Sequence, residues 1–153
     1  MTEAFKPANP AFADRVRRSF ARQGFMAYLG AELTRVEPGF CEIVLPYQPQ
    51  LTQQHGFFHA GVVGTLADNS GGYAGFSLLS ADTSILTVEY KLNLLAPAQG
   101  ERLTARGRVL KAGRTIIAAR CQVFALDQGR EKLVAHCLMT LMALAGRSDR
   151  PQG

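Results

Sequence analysis

The order of apolar segments predicts an α+β fold: a curved antiparallel sheet wrapped around one long central helix, plus an N-terminal helix. Three observations carry this. Residues 61–79 form a nearly unbroken apolar run laced with Gly and Ala. Residues 31–47 hold two strand-like segments joined by Glu37-Pro38-Gly39, a turn sequence. Residues 83–144 read as one strand after another, broken only by short Gly-containing turns.

The elements follow in order. Residues 1–10 are polar, hold two prolines and are expected to be a flexible tail. Over residues 11–24, Phe12, Val16, Phe20 and Gln23 share one face of an amphipathic helix and arginines cover the other. Residues 24–30 are a break with apolar anchors Phe25, Met26, Tyr28 and Leu29. Strands are expected over 31–36 and 40–47. In the second, Cys41, Ile43 and Leu45 alternate with Phe40, Glu42, Val44 and Pro46. Residues 48–58 are a polar loop, and the long helix spans about 60–79. Its glycines are poor helix formers, so their number implies close approach of neighbouring segments. Strands are then expected over 83–95, 101–111, 114–126 and 131–144, with a hairpin at Asp127-Gln128-Gly129-Arg130. Long antiparallel strands around a single apolar helix describe the hotdog fold. One domain over 11–146, with a polar tail at 147–153, accounts for the 153 residues.

Composition excludes several classes of function. The net charge of +5 suits an anionic ligand, but the cations are scattered and no basic run marks a nucleic-acid surface. One cluster is Arg15, Arg17, Arg18 and Arg22; the other is Arg102, Arg106, Arg108, Lys111 and Arg114. Cys41, Cys121 and Cys137 are odd in number and far apart, which fits neither a disulfide framework nor a zinc knuckle. The first residues lack the apolar core of a signal peptide. The 61–79 run contains Asp68 and five glycines, so a buried helix is expected rather than a membrane span. A cytoplasmic protein is expected.

Asp68 is the informative residue. An ionised carboxylate in an apolar run is costly unless paired or hydrogen-bonded, and such groups are candidates for catalysis. His59-Ala60-Gly61 precedes it at the start of the helix, where free N–H groups and the positive dipole end favour an oxyanion. The plainer readings are a structural hydrogen bond for Asp68 and a loop histidine for His59. His55 and His59 are four apart but lack an H-E-x-x-H pattern, so no metal is expected. His136 reads as a packed strand residue, and Phe57-Phe58 as core or interface packing. No G-x-S-x-G elbow is present, and none of the cysteines neighbours a His in a polar loop.

The stretch from Gln53 to Asp68 resembles the signature of PaaI-like hotdog acyl-CoA thioesterases, roughly N-x-x-G-x-x-H-G-G-x-x-x-x-L-x-D. Gly56, His59, Gly61, Leu66 and Asp68 fall in register. Leu29-Gly30, Leu94-Leu95-Ala96-Pro97-Ala98 and Lys111-Ala112-Gly113-Arg114-Thr115 resemble further family motifs. Two positions depart from the pattern: Gln53 stands for asparagine and Ala60 for the first glycine.

The resemblance implies hydrolysis of an acyl-CoA to a carboxylic acid and CoA, without a cofactor. It implies Asp68 as general base or nucleophile, with Ala60 N–H, beside Gly61, polarising the carbonyl. His59 would shape the loop or lie near the thiolate, Gln53 would orient water, and Thr87 would hydrogen-bond the carboxylate or the water. Gly56 and Asn69 are assigned to the substrate site. Lys111 and Arg114 are either CoA-phosphate contacts or a solvated turn. Eight residues of helix, roughly 12 Å of rise, separate Ala60 from Asp68. The family's dimeric site would bring each to its opposite number in a second copy, in a homodimer or a homotetramer built as a dimer of dimers. Two other readings stay open on this fold: a hydratase or dehydratase of acyl thioesters, and a non-catalytic acyl-CoA-binding protein. Val63, Tyr73 and Phe76 are expected to line the acyl pocket.

Overall fold

A computed structural model describes residues 5–151. Helix α1 spans Phe12–Ala21 and α2 spans Gly24–Leu29. Strands β1 (Glu32–Glu37) and β2 (Phe40–Pro46) follow, then a 3-10 turn at Pro49–Leu51 and the long helix α3 (Ala60–Phe76). Strands β3 (Thr83–Leu94), β4 (Arg102–Ala112), β5 (Ile116–Asp127) and β6 (Arg130–Ala145) complete the fold.

All six strands form one sheet in the order β1-β2-β4-β5-β6-β3, and every pair is antiparallel. The chain therefore crosses the sheet at α3: β2 and β4 are neighbours, while β3 is carried to the far edge beside β6. That crossing lays α3 across the concave face, which is the hotdog architecture read from the sequence.

The core lies between the sheet and α3. Val63, Leu66, Ala67, Ala74 and Phe76 of the helix are buried against Ile43, Leu103, Ala105, Ile117, Val123, Met139 and Leu141 of the strands. Glycines set how close these layers come. A Cβ on Gly107 of β4 would sit 2.3 Å from the Ser70 backbone, and one on Gly71 would sit 2.2 Å from Met139 Sδ. The sheet thus touches the helix backbone itself, which explains why glycine is tolerated inside α3 despite its helix cost.

The N-terminal side differs from expectation. Residues 24–30 are not a break: residues 24–29 form a short helix, with Gly30 in the left-handed conformation at its end (φ 76°). Only Met26 and Leu29 face inward, whereas Phe25 and Tyr28 are 59% and 80% exposed. Arg15 is not a solvent cover either. Its guanidinium donates to the carbonyls of Ser80 (2.6 Å) and Thr83 (2.7 Å) and stacks over Phe76, clamping α1 to the corner between α3 and β3. The second basic cluster is also partly structural. Arg106 bonds Glu42 and Glu131 across the sheet, and Arg108 stacks on Phe40.

The tails are tied down where they are described. Phe5 packs on the core and Ala8 N–H bonds the Leu78 carbonyl at 3.1 Å, in contrast to the flexible segment expected over residues 1–10. Residues 1–4 lie outside the described residues. At the other end Asp149 pairs with Arg22 at 2.6 Å. No described helix is long and apolar enough to cross a membrane.

Candidate active site

The loop before α3 is built to present the helix start. Gln53 N–H bonds the Phe57 carbonyl and Gly56 N–H bonds the Gln53 carbonyl, each at 2.9 Å. Gly56 sits at φ 81°, which a side chain would strain. Phe58 N–H bonds the Ala98 carbonyl and His59 N–H bonds the Leu51 carbonyl, both at 2.9 Å. These bonds tether the loop at both ends.

His59 is the N-cap of α3. Its extended backbone (φ −62°, ψ 140°) lets Nδ1 accept the Gly61 N–H at 2.8 Å. A neutral ring accepting at Nδ1 carries its proton on Nε2. Val62 and Val63 N–H reach the His59 carbonyl at 3.0 and 3.1 Å. Ala60 N–H is therefore left without an acceptor among the described residues. Of the two N–H groups expected at the oxyanion site, Gly61's is already engaged and Ala60's is free. An imidazole cap is unusual, since Ser, Thr, Asp and Asn are preferred; the small residues at 60 and 61 are the one sequence signal for it.

Gln53 and Ala60 line a cavity of about 400 Å³ with Phe57, Val63, Leu95 and Pro97. The Gln53 carboxamide oxygen accepts the His55 N–H, so the chain closes on its own loop. His55 itself is exposed and tilted over Phe57.

Asp68 lies on a different face. It is half-buried, and Thr87 Oγ1 donates to its Oδ1 at 2.7 Å. A register shift between Thr87 and Glu89 turns β3 at this point. Such bulges re-aim side chains, and here Thr87 faces α3. Asn69 bonds the Thr65 carbonyl through Nδ2 at 3.3 Å, while its buried Oδ1 has no partner. Asp68, Asn69 and Thr87 open into a second cavity of about 890 Å³, shared with Gly72, Tyr73 and Phe76.

The site residues expected from sequence thus fall into two groups. Asp68, Asn69 and Thr87 share one cavity; Gln53, Ala60 and, through its loop, Gly56 belong to the other. Of the expected acyl-pocket residues, Tyr73 and Phe76 line the Asp68 cavity, whereas Val63 lines the other. Lys111 and Arg114 are exposed around the β4–β5 turn and line neither. Ser19, Arg22, Gln23 and Asp149 line the Asp68 cavity without having been foreseen; no local pattern links them to Asp68. The three cysteines are buried. Desolvation pushes the Cys121 thiol up to about 12 and Cys137 up to about 11, which leaves them inert thiols at neutral pH.

Comparison with known proteins agrees with this architecture. The profile of the thioesterase superfamily matches residues 55–132, from the loop before α3 into β6. The chain belongs to that superfamily, whose thioester-hydrolase class and hotdog fold the motif around Asp68 had indicated. A thioesterase-family protein from Silicibacter pomeroyi is 49% identical over 88% of this chain and 99% of its own, with a TM-score of 0.87. The Escherichia coli PaaI protein shares the fold (TM-score 0.79) at 19% identity, covering 88% of this chain and 94% of its own. A medium/long-chain acyl-CoA thioesterase of Escherichia coli is 27% identical over 119 residues, covering 68% of this chain and 77% of its own.

Proposed function

We propose that this chain hydrolyses acyl-CoA thioesters, with Asp68 as the reactive carboxylate and Ala60 N–H of a second copy as the carbonyl polariser. The observation that carries the reading is the division of labour along α3. A hydrogen-bonded carboxylate opens into one cavity, and an unengaged helix-start N–H borders another. Neither cavity holds both groups. β3 supports a joined site: of the two edge strands, β1 and β3, it is the one that exposes large apolar side chains, Leu86, Val88, Tyr90 and Leu94. An unpaired apolar edge is a template for pairing with another chain. A homodimer joined there, alone or within a dimer of dimers, would bring each carboxylate towards the opposite helix start.

The chemistry then follows. Thr87 holds Asp68 Oδ1, leaving Oδ2 to accept a proton from water. The water oxygen attacks the thioester carbon, and the oxyanion is met by Ala60 N–H at the positive end of α3. Collapse breaks the C–S bond, and the proton held on Asp68 returns to the leaving thiolate. Direct attack by Asp68 would instead form an acyl-carboxylate anhydride that water opens. Neither route draws on a cofactor. His59 serves by fixing the helix start. Lys111 and Arg114 are proposed to offer charge to the CoA phosphates, and the protein to act in the cytoplasm.

Thiol release from a panel of acyl-CoAs tests the reading, with Asp68→Ala alongside. Wild-type turnover that is lost in Asp68→Ala is expected. Absence of turnover on every chain length and aryl group would overturn the enzyme, and turnover surviving Asp68→Ala would overturn the site. Label found in Asp68 after single-turnover hydrolysis in ¹⁸O-water would mark direct attack with water opening the anhydride at the Asp68 carboxyl carbon, since the general-base route places label only in the product acid.

A further inference from the structure

The Asp68 cavity has a second boundary that the proposed reaction does not use. From the Asp68–Thr87 end it runs along α3 past Gly72 to Phe76 and along β3 past Leu86 and Ile85 to Ser84. Asp68 to Phe76 is roughly 12 Å of helix. Across this channel lie the end of α1, the residues just after it, and residues 148–151 beyond β6. These parts are distant in sequence and are joined by polar contacts. Arg22 Nη2 donates to Asp149 Oδ2 at 2.6 Å, a bond spanning 127 positions. Gln23 Nε2 donates to Tyr73 Oη at 3.0 Å, and Ser19 Oγ lies 3.2 Å from the same hydroxyl.

Around Tyr73 the polar groups of this boundary satisfy one another, whereas the Arg150 side chain has no hydrogen-bond partner among the described residues. The Tyr73 hydroxyl has both Gln23 and Ser19, and the Arg22 charge has Asp149. At the Tyr73–Gln23–Ser19 cluster little hydrogen bonding remains for a polar substrate tip, and Phe76, Ile85 and Leu86 offer apolar wall. An apolar chain growing along the channel would have to part these pairs or strip water from them, and burying an unpaired polar group is unfavourable.

We propose that residues 148–151, pinned by the Arg22–Asp149 ion pair against the Tyr73–Gln23–Ser19 cluster, form a clamp that closes the acyl channel and sets the longest apolar acyl chain it accepts. This rests on the acyl-CoA reading above. The clamp is a specificity element and takes no part in bond making.

The test is binding of non-hydrolysable S-alkyl-CoA thioethers of increasing chain length, followed by calorimetry. It compares wild type, Asp149→Ala, a deletion of residues 148–153, and the exchange Arg22→Asp with Asp149→Arg. Wild-type affinity should rise with chain length and then level off. In Asp149→Ala and in the deletion the rise should continue, by about fourfold per methylene beyond the wild-type limit, as burial of one such group allows. The exchange should move the limit back towards wild type. An unchanged limit in folded Asp149→Ala and deletion proteins would overturn the clamp, as would a wild type that binds no thioether of any length. Thiol release measured on the same proteins keeps the two readings apart. A shifted limit without turnover would keep the clamp and remove the hydrolase; turnover with an unshifted limit would do the reverse.

Discussion

Helix α3 has two sides built on opposite rules. Towards the sheet, a Cβ on Gly71 would meet the end of Met139 at 2.2 Å, one on Gly75 would meet Leu141 at 2.7 Å, and Gly107 presses on the helix backbone. Towards the β3 edge, Thr65, Asp68, Asn69 and Gly72 are only half-buried, and a Cβ on Gly72 would meet nothing within 4 Å. One side is packed until nothing can be added. The other is left unfilled, and there the only carboxylate of the helix stands. A glycine-rich apolar helix is therefore not uniformly buried: its composition serves packing on one face and access on the other.

The sharpest break between the two sides is functional against structural loss. Asp68→Asn keeps the shape of the side chain and the Thr87 contact but removes the base. It should lower kcat by about 10²- to 10⁴-fold, while the melting temperature stays close to wild type because the amide is isosteric and keeps the Thr87 bond. Thiol release and calorimetry on the same preparation check both halves. Gly107→Ala should do the opposite. Its methyl would meet the Ser70 carbonyl group at 2.3 Å, so the layers must separate, at about 1–3 kcal/mol of stability. Urea titration reads that cost, and a loss below about 0.5 kcal/mol would mean that the sheet and helix are looser than described.

Which parts were legible in the sequence follows from the same contrast. The packed side was legible, because a run of Gly, Ala and large apolar residues between two polar loops has few other uses. The Asp68–Thr87 hydrogen bond was expected from the resemblance, and α3 ends three residues before expectation. The division between Ala60 and Gly61 was not. It depends on His59 turning Nδ1 onto the Gly61 N–H, a choice of side-chain rotamer that no spacing announces. Helix α2 was read as a break because six residues give no periodicity, and exposed Phe25 and Tyr28 look like core in a string of letters. Arg15, Arg22 and Asp149 were hidden for another reason: their partners lie 65 to 127 positions away, and a charge in a sequence carries no sign of what it will meet.

Thr87 belongs to the open side, and its hydroxyl is the part of it that matters. Thr87→Val keeps the β-branched shape and removes the donor to Asp68 Oδ1. A hydrogen bond to a charged group is worth about 1.5 kcal/mol at its lower end, so kcat should fall about tenfold. Thr87→Ser should recover most of it. Equal loss in both variants would assign the residue to packing instead.

Acid titration probes the sheet away from either face of α3. Burial pushes the Glu42 carboxyl up, but hydrogen bonds from Arg106 Nε and Thr34 Oγ1, each 2.9 Å, outweigh it and hold the group below its ordinary 4.5. A carboxyl held low in the folded state adds stability at pH values above its unfolded pKa. That contribution is lost as the pH falls through the folded value. Wild type and Glu42→Gln should thus differ most near neutrality and converge as the pH drops below about 4. Denaturation curves from pH 3 to 7 check this, and a gap that stays constant across the range would show that the loss is one of packing.

Gly72→Ala gives the smallest effect and the most direct reading of the open side. Gly71→Ala, one position away, would bring a methyl against the end of the Met139 side chain, which must shift to admit it. At Gly72 the new methyl meets nothing within 4 Å, and the helix gains an alanine in place of its poorest ordinary former. The expected change is a gain of about 0.5–1 kcal/mol. The methyl would also enter the Asp68 cavity, so KM for bulky acyl groups should rise while that for acetyl-CoA hardly moves. Melting curves taken over a range of protein concentrations make the sign informative. A gain independent of concentration matches an unoccupied face, whereas a loss that grows on dilution would place a second copy against Gly72, extending the proposed interface from β3 onto the helix.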